Sequence, residues 1–138
     1  MNTKAKLFDS RRHSYRTSKS VLISFRYAFN GIKYTFENSR NFRIQVLFAF
    51  FSLILGSVFQ LVKSDYLILL VTIFSVLILE ILNTSIESLV DLVVKKKFSK
   101  LAKITKDCAA GCVLLASINS VIIGLYLFIP KIRLLFLN

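Results

Sequence analysis

The stretch from Tyr66 to Val94, YLILLVTIFSVLILEILNTSIESLVDLVV, decides what kind of molecule this is. Through Leu79 it is apolar, and at about 1.5 Å per residue the whole run is long enough to cross the roughly 30 Å hydrocarbon core of a bilayer. From Glu80 onward the helical pattern continues, but acids enter at Glu80, Glu87 and Asp91. A charged side chain in hydrocarbon costs on the order of 2.5–3.5 kcal/mol on insertion scales, so three acids on one membrane helix require an explanation. Successive residues turn by about 100°, which places Glu80, Asn83, Glu87 and Asp91 at about 0°, 300°, 340° and 20° around the axis. They form one stripe about 80° wide, bordered by Thr84. Measured back from Lys95, Asp91 is roughly 6 Å, Glu87 roughly 12 Å and Glu80 roughly 22 Å along the helix, so the stripe starts at the interface and climbs into the bilayer.

Two further apolar runs flank this one. Ile44 to Val62 is a 19-residue span with Gln45, Ser52, Ser57 and Gln60 as its polar interruptions. Cys108 to Ile129 is a 22-residue span with Asn119 as its most polar member, and Pro130 is expected to stop it because proline cannot continue a helix. Lys63-Ser64-Asp65 reads as a tight hairpin between the first two spans, and Lys95 to Asp107 as the link to the third. Ahead of the spans, residues 18–38 carry Val21, Phe25, Ala28, Phe29, Ile32 and Phe36 at spacings of three and four, with Lys19, Arg26, Asn30 and Lys33 off that stripe. This predicts an amphipathic surface helix at the headgroup level. Residues 1–17 form a basic tail with no signal-peptide pattern, and residues 131–138 a short C-terminal tail.

Basic residues orient the spans. Ten precede residue 44 and six lie between Lys95 and Lys106, against one in the hairpin and two at the C-terminus. The positive-inside rule then places the N-terminus and the second loop in the cytoplasm, and the hairpin and C-terminus outside.

Composition agrees. The chain of 138 residues is 55% hydrophobic with 13 Phe, carries 19 Lys and Arg against 7 acids for a net charge of +12, and has a mean hydropathy of +0.65. A disordered basic tail would be poor in apolar residues, and a soluble nucleic-acid module would not need such long apolar runs. An all-α integral membrane protein of one domain, residues 18–130, is what remains. Cys108 and Cys112 lie four apart, but the single His is His13, so no metal ligand set forms and the cysteines read as small packing residues.

With four glycines scattered along the chain, no phosphate-cradling loop of the P-loop, Rossmann or protein-kinase kind is present, and no nucleophile elbow or zinc signature. Carboxylates one and two turns apart can gather a divalent cation, and Mg²⁺ characteristically takes one or two carboxylates plus substrate phosphates. The lysines around Lys106-Asp107 supply positive charge for an anionic ligand. Residue chemistry alone leaves two classes open: a phosphate-handling enzyme at the membrane face, or a small cation-coupled transporter with carboxylates in its pathway.

A resemblance adds to this. The block EILNTSIESLVD, residues 80–91, followed by AKITKDCAAG, residues 102–111, resembles the signature of the prokaryotic diacylglycerol kinase family, which includes the undecaprenol kinases. A second stretch, SFRYAFNG at 24–31 through NFRI at 41–44, is similar to that family's surface helix and the start of its first span. The likeness covers about residues 20 to 130. It implies a homotrimeric bundle of subunits, each with an N-terminal surface helix and three transmembrane helices, in the bacterial plasma membrane. Active sites would be shared between neighbouring subunits at the cytoplasmic face. It implies transfer of the γ-phosphoryl of ATP, with Mg²⁺, to a lipid alcohol, either diacylglycerol or undecaprenol. Position by position, the resemblance makes Glu80 the general base, Glu87 a metal ligand, Asn83 and Asp91 polar residues holding the site, and Lys106 and Asp107 nucleotide contacts. Tyr27 and Lys19 fall near positions that approach the nucleotide. One departure stands out: where better-known members carry a second metal-binding Glu, three residues before Phe42-Arg43, this chain has Ser39. Glu37 is the nearest acid, but two residues along a helix is about 200° of rotation. The family's loop His is also missing around Lys97 to Lys100.

Overall fold

The computed structural model describes residues 21–95 and 97–137, with side chains through Leu134. It is all-helical: α1 Val21–Asn38, α2 Arg40–Val58, α3 Lys63–Val94 and α4 Lys100–Leu137. The chain divides into two compact units, the first ending at Tyr34 and the second beginning at Thr35. In the first, every described residue from Val21 to Tyr34 is exposed. Lys19 and the basic tail lie outside the described residues.

In the second unit, α3 packs against both α2 and α4. Its buried positions, Leu69, Thr72, Val76 and Glu80, follow one another at three and four residues and so line one face of the helix. The acidic stripe continues that same face, which is why its first member ends up inside the bundle. On α4 the buried residues are Ala109, Val113 and Leu127. Cys108 and Cys112, expected to pack, are exposed, because their neighbours Ala109 and Val113 hold the inward face. α2, α3 and the stretch Lys100–Leu134 of α4 are each long and apolar enough to cross a membrane. Large apolar side chains such as Phe48, Phe74 and Leu115 remain exposed along all three helices, as expected of a bundle solvated by lipid tails.

The breaks between helices differ from the expected ones. α1 and α2 are separated only by Ser39, an extended residue (φ −96°, ψ 117°) whose Oγ accepts from the Phe42 N–H at 3.1 Å. A serine N-cap satisfies one of the four open N–H groups of a new helix, so α2 can start directly after Ser39. The α2–α3 turn occupies residues 59–62 rather than Lys63-Ser64-Asp65, which form the first turn of α3. It closes by Gln60 N–H to Ser57 O (3.2 Å) and Leu61 N–H to Gly56 O (3.0 Å), with Gln60 in the left-handed region at φ 49°. That is a Schellman ending, which satisfies α2's last carbonyls four residues before the apolar run itself ends. The second link is also shorter than expected: α4 begins at Lys100, after Ser99, whose Oγ accepts from Ala102 N–H at 3.4 Å. α4 runs through Pro130 to Leu137 instead of stopping there. Proline removes one intrahelical hydrogen bond, yet the helix continues on both sides of it.

Candidate active site

Glu80 is 2% exposed, and both of its carboxylate oxygens are engaged from α2. Ser39 Oγ donates to Oε1 at 2.7 Å, and Gln45 Nε2 donates to Oε2 at 3.2 Å. Burying a carboxylate is tolerable only where donors replace water. These two do so from a different helix, which ties the start of α2 to the middle of α3. One turn further on, Asn83 Nδ2 donates to Glu87 Oε1 at 3.1 Å. Its Oδ1, like Gln45 Oε1, is buried and finds no donor among the described residues. At the end of the stripe Asp91 pairs with Lys106 of α4 at 2.6 Å, both partly exposed. An exposed pair of this kind contributes about 0–1 kcal/mol, so it orients side chains more than it stabilises the fold. Asp107, beside Lys106 on α4, and Glu87 are exposed.

The site opens onto a cavity of about 720 Å³ between α2 and α4, with α3 as its floor. Gln45, Glu80 and Asn83 line its polar end, and Phe48, Val76 and Val113 are among the apolar residues along it. A polar head over an apolar trough is a shape that accepts an amphipathic molecule.

The fold therefore lines Glu80, Asn83, Glu87 and Asp91 along α3 from its middle to its C-terminal end, where Asp91 meets Lys106, next to Asp107, near the start of α4. Tyr27 is exposed in the first unit. Lys19 lies outside the described residues. Ser39 and Gln45 were not expected to touch Glu80. The one signal available was Gln45 itself, an amide near the start of an apolar span. Among the described residues no three acidic, imidazole or thiol groups converge on a common point. Glu87 together with the donorless Asn83 Oδ1 offers hard oxygen ligands for a cation such as Mg²⁺, provided phosphates complete the shell. Glu37, the alternative acid, is exposed on α1, and its carbonyl accepts from Arg43 Nη1 at 2.9 Å.

Fold and site together define a multi-span helical membrane protein with acid chemistry at one end of its bundle. The model of the prokaryotic diacylglycerol kinase family matches residues 26–128, and the chain belongs to that family. It is 43% identical over 122 residues to a diacylglycerol kinase of Synechocystis sp., covering 88% of this chain and 70% of the relative. It is 38% identical over 124 residues to the undecaprenol kinase of Bacillus subtilis, covering 90% and 99% respectively. The protein is thus a lipid kinase, with ATP as co-substrate, and the transporter alternative falls away.

Proposed function

We propose that the protein transfers the γ-phosphoryl of ATP to the hydroxyl of diacylglycerol, giving phosphatidate. The observation that carries this is the buried Glu80 carboxylate at the polar head of an apolar cavity, in a chain 43% identical to a diacylglycerol kinase. The kinase unit begins near residue 18 and runs to about residue 130, and α4 continues past that point to Leu137. It works as a homotrimer in the bacterial plasma membrane, with the N-terminus and the Lys95–Lys106 segment cytoplasmic and an amphipathic α1 at the headgroups. Undecaprenol is the second acceptor to test, because the likeness to an undecaprenol kinase covers 99% of that relative.

In this reading Glu80 accepts the proton of the lipid hydroxyl as that oxygen attacks the γ-phosphorus and ADP leaves. Proton transfer to a positioned base contributes about 10²–10⁴-fold. Glu87, with Asn83 Oδ1, would hold Mg²⁺, which when bound neutralises phosphate charge. Lys106 and Asp107 contact the nucleotide, with Asp91 holding Lys106 in place, and by the family resemblance Tyr27 and Lys19 are further nucleotide-side residues. Positioning and charge neutralisation are most of what phosphoryl transfer requires of a protein. The test is to incubate the purified protein in mixed micelles with ATP, Mg²⁺ and each lipid in turn. Faster phosphorylation of diacylglycerol than of undecaprenol is expected. The reverse order would assign the polyprenol as substrate, and no labelled lipid with either would overturn the reading.

A further inference from the structure

Glu80 is gripped at both oxygens, and neither donor belongs to its own helix. Ser39 Oγ and Gln45 Nε2, at 2.7 and 3.2 Å, approach from two points of α2 six residues apart, one in its N-cap and the other well inside it. We propose that Ser39 and Gln45 are positioning residues for Glu80. One hydrogen bond to each oxygen fixes the plane of the carboxylate, and the lone pairs left over face the cavity where an acceptor hydroxyl arrives. The inference rests on the reading of Glu80 as the base and adds to it what aims that base.

Three observations support the assignment. A serine hydroxyl has one hydrogen and two lone pairs. Because Ser39 Oγ already accepts from Phe42 N–H, the N-cap itself fixes where its hydrogen points, and that hydrogen goes to Glu80. The α2 N-terminus and the orientation of the carboxylate are therefore set by the same atom. Second, the Gln45 amide directs its NH₂ to Glu80 while its Oε1 stays buried, with no donor among the described residues, in a residue that lines the same cavity. A buried acceptor left without a donor is costly, so the amide is held for what its other end does. Third, the neighbouring polar groups are committed elsewhere: Thr84 Oγ1 donates to the Glu80 carbonyl and Asn83 Nδ2 to Glu87. A flexible side chain with three rotatable bonds would otherwise sample several directions, and misplacing a reacting group by about 1 Å can cost on the order of 10²-fold in rate.

The experiment is a double-mutant cycle on turnover at saturating lipid and ATP, read together with KM. Ser39→Ala and Gln45→Met should each lower kcat on the order of tenfold and leave the KM for ATP within about twofold. Ser39→Thr, which keeps both hydroxyl roles, should recover most of the loss seen in Ser39→Ala. In a Glu80→Gln background, adding Ser39→Ala or Gln45→Met should cause no further loss, since both act through the carboxylate already removed. Losses that multiply in that background, or failure of Ser39→Thr to recover turnover, would overturn the positioning role. Should the residual rate of Glu80→Gln be too low to cycle, the threonine recovery and the kcat against KM split decide alone. If Glu80→Gln keeps full turnover, the base assignment fails instead, and the two failures are told apart by that single variant.

Discussion

At the scale of single residues, Glu80, Asn83 and Glu87 share one face of α3 yet differ sharply in surroundings. Glu80 is enclosed and hydrogen-bonded from α2, whereas Glu87 is exposed and accepts a hydrogen bond from its helical neighbour Asn83. The roles proposed for them, proton acceptor and cation ligand, need those two environments. Glu80→Gln and Glu87→Gln should each reduce turnover at least about 10²-fold with the helical content unchanged, measured as lipid phosphorylation in micelles. Full activity in both would remove the assignment. Ser39 stands where relatives of the resembled kind carry a metal-binding acid, and its side chain faces Glu80 directly. Ser39→Glu should therefore lower the Mg²⁺ concentration needed for half-maximal rate, while the maximal rate falls because the donor to Glu80 is gone. Glu37→Gln should leave the Mg²⁺ requirement within twofold, and a large rise would make Glu37 the second ligand.

At the scale of elements, the α2–α3 hairpin depends on one small residue. A Cβ built on Gly56 would meet Tyr66 Cε2 at 3.2 Å, Leu61 Cδ1 at 3.3 Å and Leu69 Cδ2 at 3.4 Å, so the helices approach more closely than a larger side chain allows. The close approach lets Tyr66 Oη donate to the Leu53 carbonyl at 3.1 Å and lie 3.0 Å from Ser57 Oγ. Gly56→Val should destabilise the bundle by about 1–3 kcal/mol, the usual cost of overpacking. Tyr66→Phe, which removes only hydrogen bonds, should cost about 1 kcal/mol. Unfolding midpoints in a denaturing detergent titration would compare the two, and equal midpoints for wild type and Gly56→Val would show that the hairpin is looser than the packing implies.

The whole molecule places its chemistry by a mismatch of lengths. α3 has 32 residues, about 48 Å, against roughly 30 Å of hydrocarbon. A span of about 20 residues counted from Tyr66 ends near Ser85. On that count Glu80 falls within the length of a single span, while Glu87 and Asp91 fall in the excess at the Lys95 end of the helix. The orientation proposed from the basic residues puts that end in the cytoplasm. Ser64→Cys and Lys100→Cys, each in a variant lacking Cys108 and Cys112, should differ on intact cells, with only position 64 labelled by an impermeant thiol reagent. Labelling at 100 alone would reverse the orientation and separate the carboxylates from cytosolic ATP.

Much of this was legible along the chain because its cause is local. Apolar run length and the 100° turn per residue are properties of one helix, so the spans and the stripe from Glu80 to Asp91 followed without any neighbour. Helix ends were less legible: Gln60, in a left-handed turn without glycine, and Pro130, inside a helix, both break the usual residue preferences, which are weak priors that tertiary context overrides. What partners the stripe could not be read from one helix at all. The Ser39–Glu80 and Gln45–Glu80 bonds join residues 41 and 35 apart in sequence. Which donor meets a buried carboxylate depends on how α2 leaves its Ser39 cap and lies along α3, and only the packed structure settles that geometry.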